Sequence, residues 1–470
     1  MKAFQVFIIC LLFTSAQAFA SAKCSDAVFL RRAYLTVTGA LPTSQECREF
    51  LDNKEKDKRE ALIDKLLDSE LHLRYMQMRW GDILRIKSEF PSNLWPNGVQ
   101  AYNRWVYEHL LANTPYDKMI GDLLLSDGSN FRSPAVNFYR GFQQRSPENF
   151  YKNINLLFLG DRNCTDNGHL CFSQIKFKST KEWKEEIIYL DYDKASPWET
   201  VVLKDGNRFN LKADTDWREA YVSWLTSPKN RRFAEVMANR MWYWVFGKGI
   251  VHEPDDWRAD NKPSDPELLK DITDYFISSG YDMKALLKKI LMSEEFNSKM
   301  APEGYYVAQR LPAEVIVDAL ASVTGVWNTY SSRVPEPFTF YPPKTRSTHL
   351  GDATVSSTEL ELFGKVSRDV SLESQRNNSI TSRQLLYLMN SSELEKRIRK
   401  SPGLKQILNN QKTVQRLANS ITLMTLSRRA TPLEIDLYER HMQKNGLTLE
   451  DLVYDILWMQ INSNEFLYNH

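Results

Sequence analysis

The chain is poor in the residues from which metal centres and reactive nucleophiles are built, with five cysteines and seven histidines in 470 residues. No histidine falls in an H-E-x-x-H or H-x-H arrangement, which removes the zinc-hydrolase pattern. A G-x-S-x-G elbow, a Walker-type phosphate loop and a dinucleotide glycine pattern are all missing. Neither sign of charge dominates: 61 basic and 59 acidic residues leave a formal net charge of +2. Nucleic-acid binding needs basic residues clustered on one face, and this balance gives no such footprint. After the first residues no apolar run approaches the roughly 20 residues that cross a bilayer.

The start of the chain has the layout of a secretory leader. Lys2 supplies a positive charge, residues 4–13 are apolar, and Ala18 and Ala20 stand at the −3 and −1 positions of a cleavage site after residue 20. An uncleaved N-terminal anchor is the alternative. Lys23 stands where a lipoprotein needs a small residue before Cys24, so lipidation is not expected. Cys24, Cys47, Cys164 and Cys171 survive removal of the leader, and an even number in an exported protein points to disulfides. Local pairing, Cys24 with Cys47 and Cys164 with Cys171, is the simplest arrangement, with free buried thiols as the alternative.

The fold class expected is mainly α, with two helical domains (24–175 and 216–470) linked by a small β-hairpin-containing segment (176–215). Thr43 and Glu46 form a capping box, and helices are predicted from about Lys56, after Ser69, over Val99–Leu111 and over Tyr116–Leu125. Residues 186–192 and 200–203 are β-branched and aromatic, and Asp205-Gly206 supplies a tight hairpin turn. Pro197 limits any strand through it. Further on, Ser264 and Glu267 form a second box, Asp282 caps a helix, Thr431 and Glu434 flank Pro432 at a helix start, and Thr448 opens the last helix. The stretch from Ser331 to Val370 is rich in Pro, Ser and Thr and lacks periodicity, as functional or mobile segments do.

Three groups of residues carry candidate chemistry. Arg310, Glu314 and Asp318 are spaced by four, which predicts that all three project from one face of one helix. Glycosidase carboxylates flank a bond from opposite sides, so pairing of Arg310 with Glu314 is the plainer reading. His252, Asp255 and Asp256 follow an aromatic helix bearing Asn239 and Arg240. There an arginine locked to a buried aspartate of the loop would pin the loop to the helix, while an acidic pocket with His252 as base is the catalytic alternative. The third group is Cys164, His169 and Cys171, three ligands where structural zinc takes four, so no metal is expected. Trp242 and Trp244 point to different sides of a helix and read as core, not as a glycan platform. The glycines of Gly247-Lys248-Gly249 read as a chain reversal.

Residues 217–296, beginning WREAYVSWLTSPKNRRFAEVMANRMWYWVFGKGIVHEPDDW, together with FLRRAYLTVTGALPT near the start and DILWMQINSNEFLYNH at the end, resemble the planctomycete-type tandem pair of secreted domains of unknown function. Asn239-Arg240 matches that family's N-R-x-W phrase and Asp255-Asp256 its acidic loop. Many relatives carry a C-x-x-C-H haem-attachment motif after a similar apolar-Leu-Gly phrase. Here the phrase continues LFLGDRNCTDNGHLCF, with the two cysteines seven positions apart and His169 ahead of Cys171. Covalent haem, and any other cofactor, is therefore not expected.

The resemblance implies an exported protein, periplasmic or at the cell surface, without an assigned reaction. Its larger relatives combine the same domains with cytochrome-like and carbohydrate-binding modules, which suggests an interaction or scaffold component of polysaccharide processing. Its partner would be a polysaccharide or a polysaccharide-processing enzyme. One rival is a glycan hydrolase or lyase using Asp255, Asp256, Glu314, Asp318 and His252, with Arg240 and Arg310 clamping the substrate. Another is a degenerate c-type cytochrome relative.

Overall fold

The computed structural model describes residues 23–181, 184–192, 198–299, 307–332 and 340–470. The leader, with Lys2, Ala18 and Ala20, lies outside the described residues, as does Pro197. Helices dominate, and the strands form only small antiparallel sheets. Among the described residues no helix is long and apolar enough to cross a membrane.

Capping chemistry sets most helix starts. Thr43 and Glu46 close a reciprocal box on Ser44–Asp52, Thr431 and Glu434 on Pro432–Asn445, and Thr448 and Asp451 on Leu449–Ile461. Ser69 and Asp282 cap Glu70–Ile83 and Met283–Leu291 through single side-chain acceptors. The start of Pro266–Ser278 departs from expectation. Pro266 takes the first helical position, so Asp265 is the cap, accepting from the Leu268 N–H at 2.9 Å, and the Ser264 hydroxyl turns to the Ile250 carbonyl at 3.0 Å. At the other end of a helix, Gly247 closes Arg231–Phe246 with φ +68° and donates to the Tyr243 carbonyl, the expected reversal.

Strand Trp198–Val202 pairs with Arg208–Lys212, Val202 facing Arg208, and Gly206 supplies φ +86° in the turn. A second sheet, not foreseen as such, places Glu186–Leu190 between Ile175–Ser179 and the two residues Gly128–Ser129. The two sheets share no strand.

Two hydrophobic cores follow. The larger gathers Phe29, Trp80, Phe158, Tyr221, Phe233 and Phe296, so residues on both sides of the strand-bearing segment share it. Trp242 belongs to it, stacked on Phe246 at 4.2 Å, and Trp244 is buried there too, as core packing requires. The smaller core surrounds the apolar helix Ala313–Thr324 with Leu417, Ile421, Leu452 and Ile456. Helix Asp26–Thr38 serves both, giving Phe29 and Leu30 to one and Leu35 to the other.

The segment after Ser331 is irregular, and its described residues from 340 onward are anchored by side chains. The Asp318 carboxylate accepts from the Ser347 and Thr348 amides at 2.6 and 3.1 Å. Asp352 accepts from the Ser88 amide at 3.1 Å, and Arg368 donates to the carbonyls of Gly351, Ile86 and Met78 at 2.8 to 3.2 Å. A strap without periodicity is thereby satisfied by polar side chains in place of a ladder.

The expected disulfides are absent: Cys24, Cys47, Cys164 and Cys171 are all free thiols. Each has its own environment. Cys47 faces helix Val414–Leu426, 3.5 Å from the Leu423 carbonyl, while Cys24 lies 3.8 Å from an Arg59 nitrogen. Burial pushes the Cys47 and Cys171 thiols up to about 12 and Cys164 up to about 11, so none is a ready thiolate.

Candidate functional site

The spacing of Arg310, Glu314 and Asp318 does not place them together. Pro312 starts the helix at Ala313, so Arg310 stays on a two-residue strand outside it. Its guanidinium donates to the carbonyls of Asn378 and Phe363 at 2.6 and 2.9 Å, and the expected Arg310–Glu314 pair does not form. Burial among these carbonyls depresses Arg310 to about 10. Asp318 goes to the Ser347–Thr348 turn, where burial raises its carboxyl above the ordinary value.

Glu314 has a different partner. It takes two hydrogen bonds from Arg376, at 2.8 and 3.4 Å, and Arg376 reaches on to Asp82 at 2.6 Å. Asp82 also receives Arg368 Nε at 2.9 Å. This knot joins helix Glu70–Ile83, helix Ala313–Thr324 and the strap. Burial pushes both carboxyls upward, and the neighbouring guanidiniums more than offset it: Arg376 and Arg368 hold Asp82 below its ordinary value, and Arg376 does so for Glu314.

A second knot lies beside it. Of the two loop aspartates it is Asp255 that pairs with Arg240, at 3.2 Å, and pins the loop after residue 250 to helix Arg231–Phe246. Arg240 Nη2 also donates to the Leu157 carbonyl at 3.0 Å. Glu373 completes the group. Its amide donates to Asp255 at 2.6 Å, its carboxyl accepts from Trp244 Nε1 at 2.8 Å, and Arg240 Nε lies 3.7 Å away. Burial and the adjacent Asp255 push the Glu373 carboxyl up to about 7. The short turn Glu373–Gln375, with Arg376 directly after it, carries a member of each knot.

The other candidates lie outside both knots. Asp256 is half-buried and holds the exposed Arg258 through both carboxylate oxygens, at 2.9 and 3.1 Å. That pairing keeps its carboxyl below the ordinary value. His252 is at the surface, 3.3 Å from Glu253. An acidic pocket with His252 as base is therefore not formed. Around the cysteines, His169 lies 3.9 Å from Glu148, and among the described residues no group of three or more His, Cys, Asp or Glu side chains is placed to hold a metal ion.

Sequence reasoning found Arg240, Asp255 and Glu314 and missed Asp82, Arg368, Glu373 and Arg376. Three of those sit in or after the strap, where no periodicity marks a buried position. Arg240, Asp255, Glu314, Glu373 and Arg376 are all buried. None of them lines the open cleft of about 1320 Å³ between Ser331 and Glu393, or the clefts of about 450 and 500 Å³ beside Trp257. The arrangement fastens segments together, and among the described residues the carboxyls of Asp255, Glu314 and Glu373 are buried.

A helical chain whose halves are clamped by shared buried charge is thus the class that fold and site define. Two family models match it in tandem: PSCyt2, a protein of unknown function (DUF1549), over residues 9–159, and PSD1, a protein of unknown function (DUF1553), over residues 217–442. The chain belongs to the planctomycete-type family in which these two domains of unknown function stand in tandem. No curated protein and no solved structure matches it.

Proposed function

We propose that this protein is a non-catalytic interaction or scaffold component that works outside the cytoplasm, in the periplasm or at the cell surface, in association with polysaccharide processing. One observation carries the reading: Asp255 and Glu314, two of the four carboxylates that sequence offered for chemistry, are buried against Arg240 and Arg376. A hydrolase or lyase needs carboxylates that reach a substrate and titrate apart within one cleft. Glu373 has a raised carboxyl but not the access.

The reading is tested with the purified full chain in two assays. Incubated with a panel of neutral, carboxylated and sulfated polysaccharides, it should release no reducing ends or unsaturated products. Used as bait on a native envelope extract, it should retain a polysaccharide-active enzyme. Turnover by the lone chain that disappears in Glu373→Gln would reverse the reading.

A further inference from the structure

We propose that the two-lobed cleft around Trp257 binds an anionic glycan, a sulfated or carboxylated saccharide chain. This deepens the interaction reading above by naming the ligand, and rests on it. Two lobes of about 450 and about 500 Å³ share Trp257, Arg232 and Arg258. Each is within the size range of saccharide-scale sites.

The indole at the junction is seated by the backbone. Gly160 ends helix Pro147–Leu159 with φ +64°, and a Cβ there would stand 2.1 Å from Trp257 Cδ1. The ring therefore occupies space that only glycine leaves open. Its N–H is engaged by the Pro254 carbonyl at 2.8 Å, and Arg232 lies over the ring at 4.8 Å from the centroid. In the second lobe the half-buried Trp224 is oriented by its N–H on Asp205 at 3.0 Å. Indoles held by their N–H groups in a solvent-filled cleft offer π surface, which suits the C–H face of a sugar ring.

Charge sets the class of sugar. Lysines and arginines outnumber carboxylates along both lobes. The carboxylates are also occupied internally: Asp166 takes the Lys204 amide at 2.9 Å and the Gly168 amide at 3.0 Å, and Asp161 takes the Asn163 amide at 2.9 Å. Arg162 and Lys262, by contrast, are exposed and form no salt bridge among the described residues. The other cations of the lobes are ion-paired, Arg258 with Asp256, Arg231 and Lys270 with Asp274, Arg232 with Glu235 and Lys204 with Asp161, so the positive charge left to a ligand is that of Arg162 and Lys262. Planar guanidiniums beside indoles match sulfate or carboxylate groups carried on a sugar backbone.

Tryptophan fluorescence of the full chain, titrated with a sulfated galactan oligosaccharide, its desulfated counterpart, a single-stranded oligonucleotide and inorganic sulfate, tests the site. The sulfated sugar should bind at least about tenfold tighter than the other three, with affinity falling as salt rises. The double variant Arg162→Glu with Lys262→Glu should lose at least about tenfold in affinity with an unchanged circular dichroism spectrum. Equal binding of the desulfated sugar, tighter binding of the oligonucleotide, competition by inorganic sulfate alone, or no binding at all would each overturn the proposal. Reducing ends are assayed in the same samples. Their release would remove the non-catalytic reading and leave the site, whereas failed binding by a chain that still retains a polysaccharide-active enzyme would do the reverse.

Discussion

The two charged knots differ in one respect that decides their behaviour. Around Asp82 and Glu314, two carboxylates face two guanidiniums, Arg376 and Arg368, and both acids are held below their ordinary values. Around Asp255 and Glu373, Arg240 is the guanidinium within salt-bridge distance of both, and its Nε and Nη1 find no hydrogen-bond partner. Burial is alike in both places, so the direction of protonation follows from the local count of cations. One knot is a fixed clamp. The other holds a carboxyl poised to carry a proton near neutrality.

The largest expected effect breaks the balanced knot. Arg376→Met leaves Asp82 and Glu314 buried with too little positive charge, and removal of one partner from such a pair costs about 3–5 kcal/mol. Chemical denaturation should show that loss, and simultaneous conversion of Asp82 and Glu314 to apolar residues should recover part of it. If Arg376→Met is no less stable than the parent, the knot does not fasten the fold.

The unbalanced knot should show itself through pH. Glu373 has its folded value raised above the ordinary carboxyl value of 4.5, so the folded state keeps a proton that the unfolded state has released. Its contribution is fully present at low pH and is lost as pH rises from about 4.5 through about 7, amounting to about 3 kcal/mol at most. Asp82 and Glu314 have the opposite sign, with stability present above their ordinary values and lost as pH falls below them. His72 and His349, depressed by burial to about 4, add a rise with pH of their own. The informative quantity is therefore the difference between the parent and Glu373→Gln. That difference should grow in favour of the variant from pH 5 to pH 8, measured as unfolding free energy. A constant offset would mean Glu373 is ionised throughout.

The parts of this fold legible in sequence are those governed by local rules. Thr43, Asp282, Thr431 and Thr448 cap helices because a side-chain oxygen three residues before a free amide has little else to do. That Arg240 would lock to an aspartate of the following loop was legible from an arginine on an aromatic helix ahead of Asp255-Asp256, though not which of the two it would take. The Arg310–Glu314 pair was misread because spacing by four means a shared face only inside a helix, and Pro312 moves the start past Arg310. Asp82, Arg368 and Arg376 were illegible for a different reason. Their partners lie between 62 and 294 residues away in sequence, and a charged residue in an irregular strap has the same local signature whether it is buried or exposed. The cysteines misled through number alone, since an even count says nothing about distance.

A smaller effect sharpens the contrast between closed knots and open cleft. Gly160→Ala must place a methyl group against Trp257 at a backbone angle of +64°, which L side chains rarely adopt. A cost of about 1–3 kcal/mol is the scale for a residue forced into that conformation with a close contact. Because Trp257 lies at the junction of the two lobes, the ring should shift and its emission change, while the Arg376 and Arg240 knots are untouched. Preserved emission would show that the glycine does not seat the ring.

The smallest effect concerns Asp256, whose partner Arg258 is at the surface. Exposed ion pairs contribute little because solvent screens both charges and ordering the side chains costs entropy. Asp256→Asn should therefore leave the unfolding midpoint unchanged at physiological salt. It also frees Arg258, which lines both lobes beside Trp257. The substitution that stability ignores should accordingly tighten binding of a sulfated sugar, and weaker binding would mean that Asp256 positions Arg258 for the ligand instead of competing with it.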